Sequence, residues 1–61
     1  MKVIEILKWE ASKKAVALCY ADDASDLVTT LGDLELSKGS MCYLGNGDVY
    51  VLGDSWTKVG A

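Results

Sequence analysis

Short apolar runs alternate with turn-forming residues in the last third of the chain, Gly39–Gly60, and this is the strongest local pattern in the sequence. Asn46-Gly47 separates the runs Met-Cys-Tyr-Leu and Val-Tyr-Val-Leu, and Asn-Gly favours the type I′ turn of a two-residue hairpin loop. Gly53-Asp54 provides a second turn signal. The pattern predicts a three-stranded antiparallel meander.

Two-residue loops determine which residues of the meander lie opposite each other. They pair Leu44 with Val49 and Val51 with Trp56. One face then carries Cys42, Leu44, Val49, Val51 and Trp56, and the other carries Met41, Tyr43, Tyr50, Leu52 and Thr57. Neither set is polar, whereas a sheet with one wetted side alternates apolar and polar residues. We therefore expect both faces to be covered, with a second subunit on one of them or, alternatively, with a two-sided core inside one chain.

A β-hairpin is predicted for the first part of the chain. Met1–Glu10 is interpreted as a strand, although an apolar stripe also fits a helix. The strand places Val3, Glu5, Leu7 and Trp9 on one side and Lys2, Ile4, Ile6, Lys8 and Glu10 on the other. Lys14–Tyr20 alternates bulky side chains with small Ala and Cys residues, which predicts close approach of another layer on the small side.

Residues 22–31 differ in composition from both flanking regions. Asp23 is placed to cap a short helix, with Asp26 at the third helical position and Gly32 as a C-terminal cap. A β-branched run weakens helix formation, so at most one short helix around residues 23–31 is expected. The predicted fold class is mainly β, a small antiparallel sheet in which an N-terminal hairpin joins the C-terminal meander within a single domain, residues 1–61.

A chain of 61 residues is near the lower size limit for independent folding, because it buries only about 60% of its unfolded surface. Small domains usually compensate with disulfides, a metal or oligomerisation. With no His and two Cys, a four-ligand zinc site is not expected. The N-terminal segment does not resemble a signal peptide, so Cys19 and Cys42 are expected to be reduced core thiols, although a disulfide between them remains possible. Oligomerisation is the expected support.

The charge pattern argues against two classes of partner. The net charge is −3 with six Lys and no Arg, which does not provide the basic face of a nucleic-acid-binding protein. No apolar run approaches the ~20 residues of a membrane helix, so no membrane partner is expected. Residues 1–14 hold four Lys and two Glu, net +2, and residues 21–36 hold four Asp and one Glu, net −5. These segments could orient neighbouring subunits, or the acidic one could be a solvated loop.

No residue pattern predicts catalysis, a metal or a cofactor. The absence of His removes the commonest general base and the usual partner of a Cys nucleophile. The acidic stretch lacks the Gly and Glu of an EF-hand loop, and the glycines are turn residues without phosphate-loop spacing. The protein is therefore expected not to be an enzyme. Trp and Tyr suit interfaces or core edges, and the interface candidates are Met41, Tyr43, Tyr50, Leu52, Trp9 and Trp56.

Tyr20 to Val59 has a recognisable order of segments. An acidic turn (Asp22–Asp26) and a Leu-containing connector precede a strand opened by Gly39-Ser40, and the segment Gly47–Val51 is followed by Trp56 near the C-terminus. In this order the chain resembles small virion structural proteins of tailed bacteriophages and prophages, such as head-fibre, head-decoration or fibre-base subunits. Met1–Lys14 lies outside the resemblance.

The resemblance implies a non-enzymatic part of a phage particle without cofactors. Such a part forms a homo-oligomer, plausibly a trimer, contacts other virion proteins of the capsid or tail, and is synthesised in the bacterial host cytoplasm before it joins the virion. The residues leave two alternatives open. One is a monomeric β-module that binds a peptide or a glycan. The other is a small phage regulator that binds a host protein through the acidic segment Asp22–Glu35.

Overall fold

The computed structural model describes residues 1–60. They form one seven-stranded sheet and a single short 3₁₀ turn, which confirms the predicted mainly β fold class. The strands are β1 (Lys2–Ala11), β2 (Lys14–Ala21), β3 (Thr30–Leu31), β4 (Leu34–Leu36), β5 (Met41–Leu44), β6 (Val49–Leu52) and β7 (Trp56–Lys58), and the 3₁₀ turn is Ala24–Asp26.

Strand β2 is the centre of the sheet, with β1 along one edge and both β4 and β5 along the other. The hairpin β1–β2 and the meander β5–β6–β7 are antiparallel, as the sequence predicts. Both β4 and β5, however, run parallel to β2, which the prediction of an antiparallel sheet did not include. A parallel neighbour requires the chain to return along the sheet, and residues 22–33 make this crossover without an α-helix.

The predicted alternation of β1 is wrong, because the strand contains repeated bulges. Its register against β2 shifts between Val3 and Glu5, between Ile6 and Lys8, and between Trp9 and Ala11. Each shift adds one residue to β1 that has no partner on β2. The residues in register with the small side of β2 are therefore three apart in sequence, namely Val3, Ile6 and Trp9.

Both predicted hairpin loops are one residue longer than the turn signals suggest. Leu44 N–H donates to the Asp48 carbonyl and Gly47 N–H donates to that of Leu44, which leaves a three-residue loop with Gly47 at φ 93°. A positive φ at the last loop residue is typical of three-residue hairpin loops. In the second hairpin Leu52 pairs with Trp56, so that loop also has three residues.

These longer loops correct the predicted faces of the meander. Met41 pairs with Val51 and Cys42 with Tyr50, one residue away from the predicted register. Because side chains alternate along a strand, the slip exchanges the faces of all β6 residues. The core side carries Cys42, Leu44, Tyr50, Leu52 and Trp56, and the opposite side carries Met41, Tyr43, Val49, Val51 and Thr57. The two slips cancel for Trp56, which lies beside Cys42 and Leu44 as predicted.

The predicted short helix is one 3₁₀ turn. Asp23 caps it, since its carboxylate accepts hydrogen bonds from Ser25 N–H at 3.1 Å and from Ser25 Oγ at 2.6 Å. The backbone becomes extended at Leu27, and β3 and β4 then form a small hairpin. Gly32 is not a helix cap but the first residue of that hairpin's two-residue turn, at φ 59°, as a type II′ turn requires.

The core is built from small residues. The apolar residues at 5% exposure or less are Ala15, Ala17, Cys19, Ala21, Leu36, Cys42, Leu44 and Leu52. The small side of β2 therefore lies inside, as its Ala and Cys pattern predicts. Met1, Leu27 and Trp56 pack against this cluster, and the Trp56 indole N–H donates to the Val28 carbonyl at 2.9 Å. The crossover and Trp56 thus cover one face of the sheet.

The hydroxyl of a buried serine forms a hydrogen bond with a backbone N–H of β2 at the point where the partner of β2 changes from β4 to β5. Ala15 pairs with Leu36 and Leu18 with Met41, so the chain makes a detour at residues 37–40. The fully buried Ser40 Oγ accepts a hydrogen bond from Ala17 N–H at 3.0 Å and donates one to the Ser37 carbonyl at 2.8 Å. The hydroxyl therefore replaces the missing strand carbonyl.

Substitution at this detour should distinguish two buried hydroxyls. Ser40→Ala is expected to lower the free energy of unfolding by about 1–3 kcal/mol, because it leaves a buried N–H without an acceptor. Ser37→Ala is the matched control. Its buried Oγ has no hydrogen-bond partner among residues 1–60, so its removal should be neutral or slightly stabilising. Urea unfolding followed by Trp fluorescence measures both, and equal losses would contradict the role of Ser40.

Candidate functional site

One face of the sheet is covered by the crossover, and the other carries apolar side chains with no element of residues 1–60 packed over them. We call this second surface the open face. It consists of Val16, Leu18 and Tyr20 of β2, Met41 and Tyr43 of β5, and Val49 and Val51 of β6. Strand register places them together, because Leu18 is in register with Met41 and Tyr20 with Tyr43. Six of the seven are half-buried by their neighbours, and Tyr43 is 41% exposed.

Charged residues border the open face. On β1, Lys2, Glu5 and Lys8 are in register with its three β2 residues. At one end, Lys14 Nζ lies 3.5 Å from Glu35 Oε2, and both side chains are about half exposed, so this pair contributes little stability. An apolar centre with a charged rim is the usual composition of a protein–protein contact surface.

The open face is not a result of loose folding. The accessible surface of the chain is 3793 Å², and a compact monomer of this mass exposes about 3,800 Å². The chain is therefore as compact as its size permits, yet no aliphatic or aromatic side chain larger than Cys is fully buried among the described residues. Apart from three buried Leu residues, its bulky residues remain at least partly exposed, because a single sheet with one crossover has only one interior face.

Three exposed apolar side chains lie along the edge strand without sharing one face, because Trp9 is in register with Ala15 on the covered side and Ile4 and Leu7 are bulge residues. We call these three residues the β1 row, and their exposures are 58%, 54% and 52% in that order. Ile4 and Leu7 are extra residues of the bulges and have no partner on β2. Trp9 also lines a shallow cleft of about 160 Å³, together with Ser12, Lys13, Asp33 and Leu34.

The structure separates the six predicted interface candidates. Met41 and Tyr43 lie on the open face, and Trp9 lies in the β1 row. Leu52 is 4% exposed, and Tyr50 and Trp56 pack against the core cluster, so these three serve the interior of the chain. The register slip in the first hairpin explains the misplacement of Tyr50 and Leu52. Sequence reasoning missed the open-face residues of β2 and β6, although the bulky side of β2 was a signal for Val16, Leu18 and Tyr20.

Cys19 and Cys42 are direct partners across the parallel pair β2–β5, and both are buried free thiols. Burial, and then the charge of Cys42, raises the pKa of Cys19 to about 11, and burial also raises the pKa of Cys42. A thiol with a raised pKa is a poor nucleophile and a poor metal ligand at neutral pH. The pair is therefore suited to packing rather than to chemistry.

No arrangement of side chains in residues 1–60 assembles a metal site, since no group of three or more His, Cys, Asp or Glu converges there. Within the same residues, no helix has the length and apolar character needed to cross a membrane. A cleft of about 270 Å³ is lined by Lys14, Lys38, two acids and Ser37 among others. Comparisons with protein-family models, with curated proteins and with solved structures found no match to this chain.

The raised thiol pKa predicts loss of stability in alkali. An unfolded thiol loses its proton at a pKa of 9.0, whereas the folded chain keeps the Cys19 proton up to a pKa of about 11. The stability that the protonated Cys19 thiol contributes to the folded chain is therefore complete below pH 9, and it is lost as the pH rises towards 11. Cys19→Ala should make this fall in the free energy of unfolding shallower, and Ser37→Ala should leave its slope unchanged. Urea titrations at pH 8, 9 and 10 test this, and identical slopes for wild type and Cys19→Ala would contradict it.

Proposed function

We propose that the protein is a non-enzymatic structural subunit that self-associates through the open face. The observation that carries the proposal is the continuous apolar surface from Val16 to Val51, which the chain itself does not cover. Val, Leu, Met and Tyr side chains in a plane, without a charge in their centre, match the composition of a contact that excludes water. The hydroxyls of Tyr20 and Tyr43 are its only polar side-chain groups.

Burial of the open face between subunits would stabilise a chain whose size leaves little margin for independent folding. Burial of apolar surface contributes about 25 cal/mol per Å² before the cost of association is subtracted. A few hundred Å² per subunit is therefore worth several kcal/mol, comparable with the total stability of about 5–15 kcal/mol of a small domain. Contact with a second copy changes the folded population of such a chain substantially.

The resemblance of Tyr20–Val59 to small virion proteins of tailed bacteriophages supports a particular setting. In that setting the chain is a homo-oligomer, such as a trimer, in a head fibre, a decoration layer or a fibre base. It contacts other virion proteins and is made in the cytoplasm of the infected bacterium. The acidic crossover, with Asp22, Asp23 and Asp26 exposed on the side opposite the open face, remains free in such an assembly to contact the capsid or tail.

The exposed aromatic of the β1 row supports a second candidate function. Trp9 is 58% exposed and lines a mostly apolar cleft with Leu34. Trp combines a large apolar ring with an N–H donor, which suits a contact with a sugar ring or a peptide side chain. In this alternative the chain is a monomeric binding module, and glycan or peptide titrations should quench Trp9 fluorescence at concentrations where the chain is monomeric.

A charge introduced on the open face should abolish self-association. Wild type is expected to be oligomeric by size-exclusion chromatography with light scattering. Tyr43→Lys should shift it to a monomer, because a Lys at the centre of an apolar contact loses its hydration without gaining a partner. Ser55→Lys adds the same charge in an exposed loop outside the open face and is the matched control. A wild type that is monomeric at every accessible concentration would refute the structural-subunit proposal and favour the binding module.

The phage setting has a separate test. Particles are purified from cells infected by a phage that encodes this chain. Mass spectrometry of these particles should find the chain at a fixed ratio to the major capsid or tail protein. If particles lack it while the infected cells contain it, the chain is not a virion component, and the regulator that binds a host protein becomes the better account.

A further inference from the structure

The two cysteines of the chain are far apart in sequence but meet inside the sheet. The parallel pairing of β2 with β5 brings Cys19 and Cys42 into register, and both are fully buried on the covered side. Residues in register on adjacent strands have no other residue between them. The chain has no further Cys, so an intrachain disulfide can only join these two residues.

The spacing of the two strands suits a disulfide bond. Adjacent strands lie about 4.7–4.9 Å apart, and the Cα atoms of a bonded pair are usually about 4.4–6.8 Å apart. The two thiols are also close enough for the charge of Cys42 to contribute to the raised pKa of Cys19. The Cys42 thiol donates a weak hydrogen bond to the Tyr43 carbonyl, with an Sγ–O distance of 3.8 Å. Rotation of its Sγ towards Cys19 breaks this hydrogen bond at little cost.

We propose that Cys19 and Cys42 form a reversible intrachain disulfide that fastens β2 to β5. The bond joins the N-terminal hairpin to the C-terminal meander across the strand pair that connects them. It closes a loop that contains the whole crossover and the β3–β4 hairpin, and loop closure stabilises a fold mainly by restricting the unfolded chain. The bond lies on the side of the sheet opposite the open face, so it does not depend on self-association.

Formation of the bond requires an oxidant, and a low-molecular-weight disulfide such as oxidised glutathione is sufficient. The thiolate of one Cys attacks this disulfide, which releases one glutathione thiolate and leaves a mixed disulfide. The thiolate of the other Cys then attacks the protein sulfur of the mixed disulfide and releases the second glutathione. The two protons and the electron pair lost by the cysteines are thus carried by two molecules of reduced glutathione. Both thiols are buried, so these steps occur when β5 separates from β2.

Oxidation of wild type tests the proposal without any substitution. The chain is incubated with oxidised glutathione in urea near its unfolding midpoint, the urea is removed, and the product is identified by mass spectrometry without reductant. We expect a single chain that is lighter by two hydrogens. Its thermal midpoint should lie on the order of 10 °C above that of the reduced chain at the same concentration. Dithiothreitol should restore the lower midpoint, because it reduces the bond.

Folding and the bond should also favour each other. A disulfide that stabilises the folded chain is itself favoured by folding to the same extent, because coupled equilibria are reciprocal. In a glutathione buffer of fixed composition, the bonded fraction should therefore be larger without urea than in urea that unfolds the chain.

Single substitutions provide the matched controls. Cys19→Ala and Cys42→Ala should each acquire at most one glutathione and should show no rise in the thermal midpoint. The proposal is overturned if wild type forms only mixed or interchain disulfides, or if the bonded chain melts at or below the midpoint of the reduced chain. A bonded fraction that is not larger without urea overturns it as well. Each of these results leaves the proposed self-association through the open face unaffected.

Discussion

A sheet has two faces, and this chain has enough polypeptide to cover one of them. The parallel arrangement of β2 with β4 and β5 forces residues 22–33 to return along the sheet, and this return is the only layer that the described residues place over it. The side of β2 beneath it carries only small residues, because an extended segment without a helix approaches this strand closely. The bulky side chains of β2 consequently point away from the crossover and form the open face together with Met41, Tyr43, Val49 and Val51.

The junction between β4 and β5 shows what this arrangement costs in backbone hydrogen bonding. A detour at residues 37–40 interrupts the parallel ladder beside β2 and would leave Ala17 N–H unpaired inside the core. The Ser40 hydroxyl accepts a hydrogen bond from this N–H and donates one to the Ser37 carbonyl. Cys19 and Cys42 meet one step further along the same pair of strands, where only small side chains fit. The interior is thus specified by size and hydrogen bonding more than by apolar area.

The sequence was sufficient to predict the β class, the N-terminal hairpin, the meander and the small buried side of β2, because alternation and turn residues are local signals. It was insufficient where a difference of one residue in loop length or strand register decides which face of the sheet a side chain occupies. The Asn46-Gly47 signal fits both a two-residue and a three-residue loop, and the longer one moved Tyr50 and Leu52 into the core. Bulges in β1 leave no compositional mark, so Trp9 lies beside Ile6 and Val3 rather than beside Leu7.

The parallel pairing is a long-range choice that no local pattern encodes. Met41 and Tyr43 were correctly grouped on one surface, but their neighbours from β2 could be assigned only once that pairing was known.

Thermal unfolding at several chain concentrations tests most directly whether another copy must cover the open face. If folding is coupled to association, the midpoint temperature rises with concentration, since mass action favours the folded oligomer. We expect such a rise for wild type and its disappearance, together with a lower midpoint, in Tyr43→Lys. A midpoint that is independent of concentration, and equal in wild type and variant, would show that the open face is stable in water and would contradict the account.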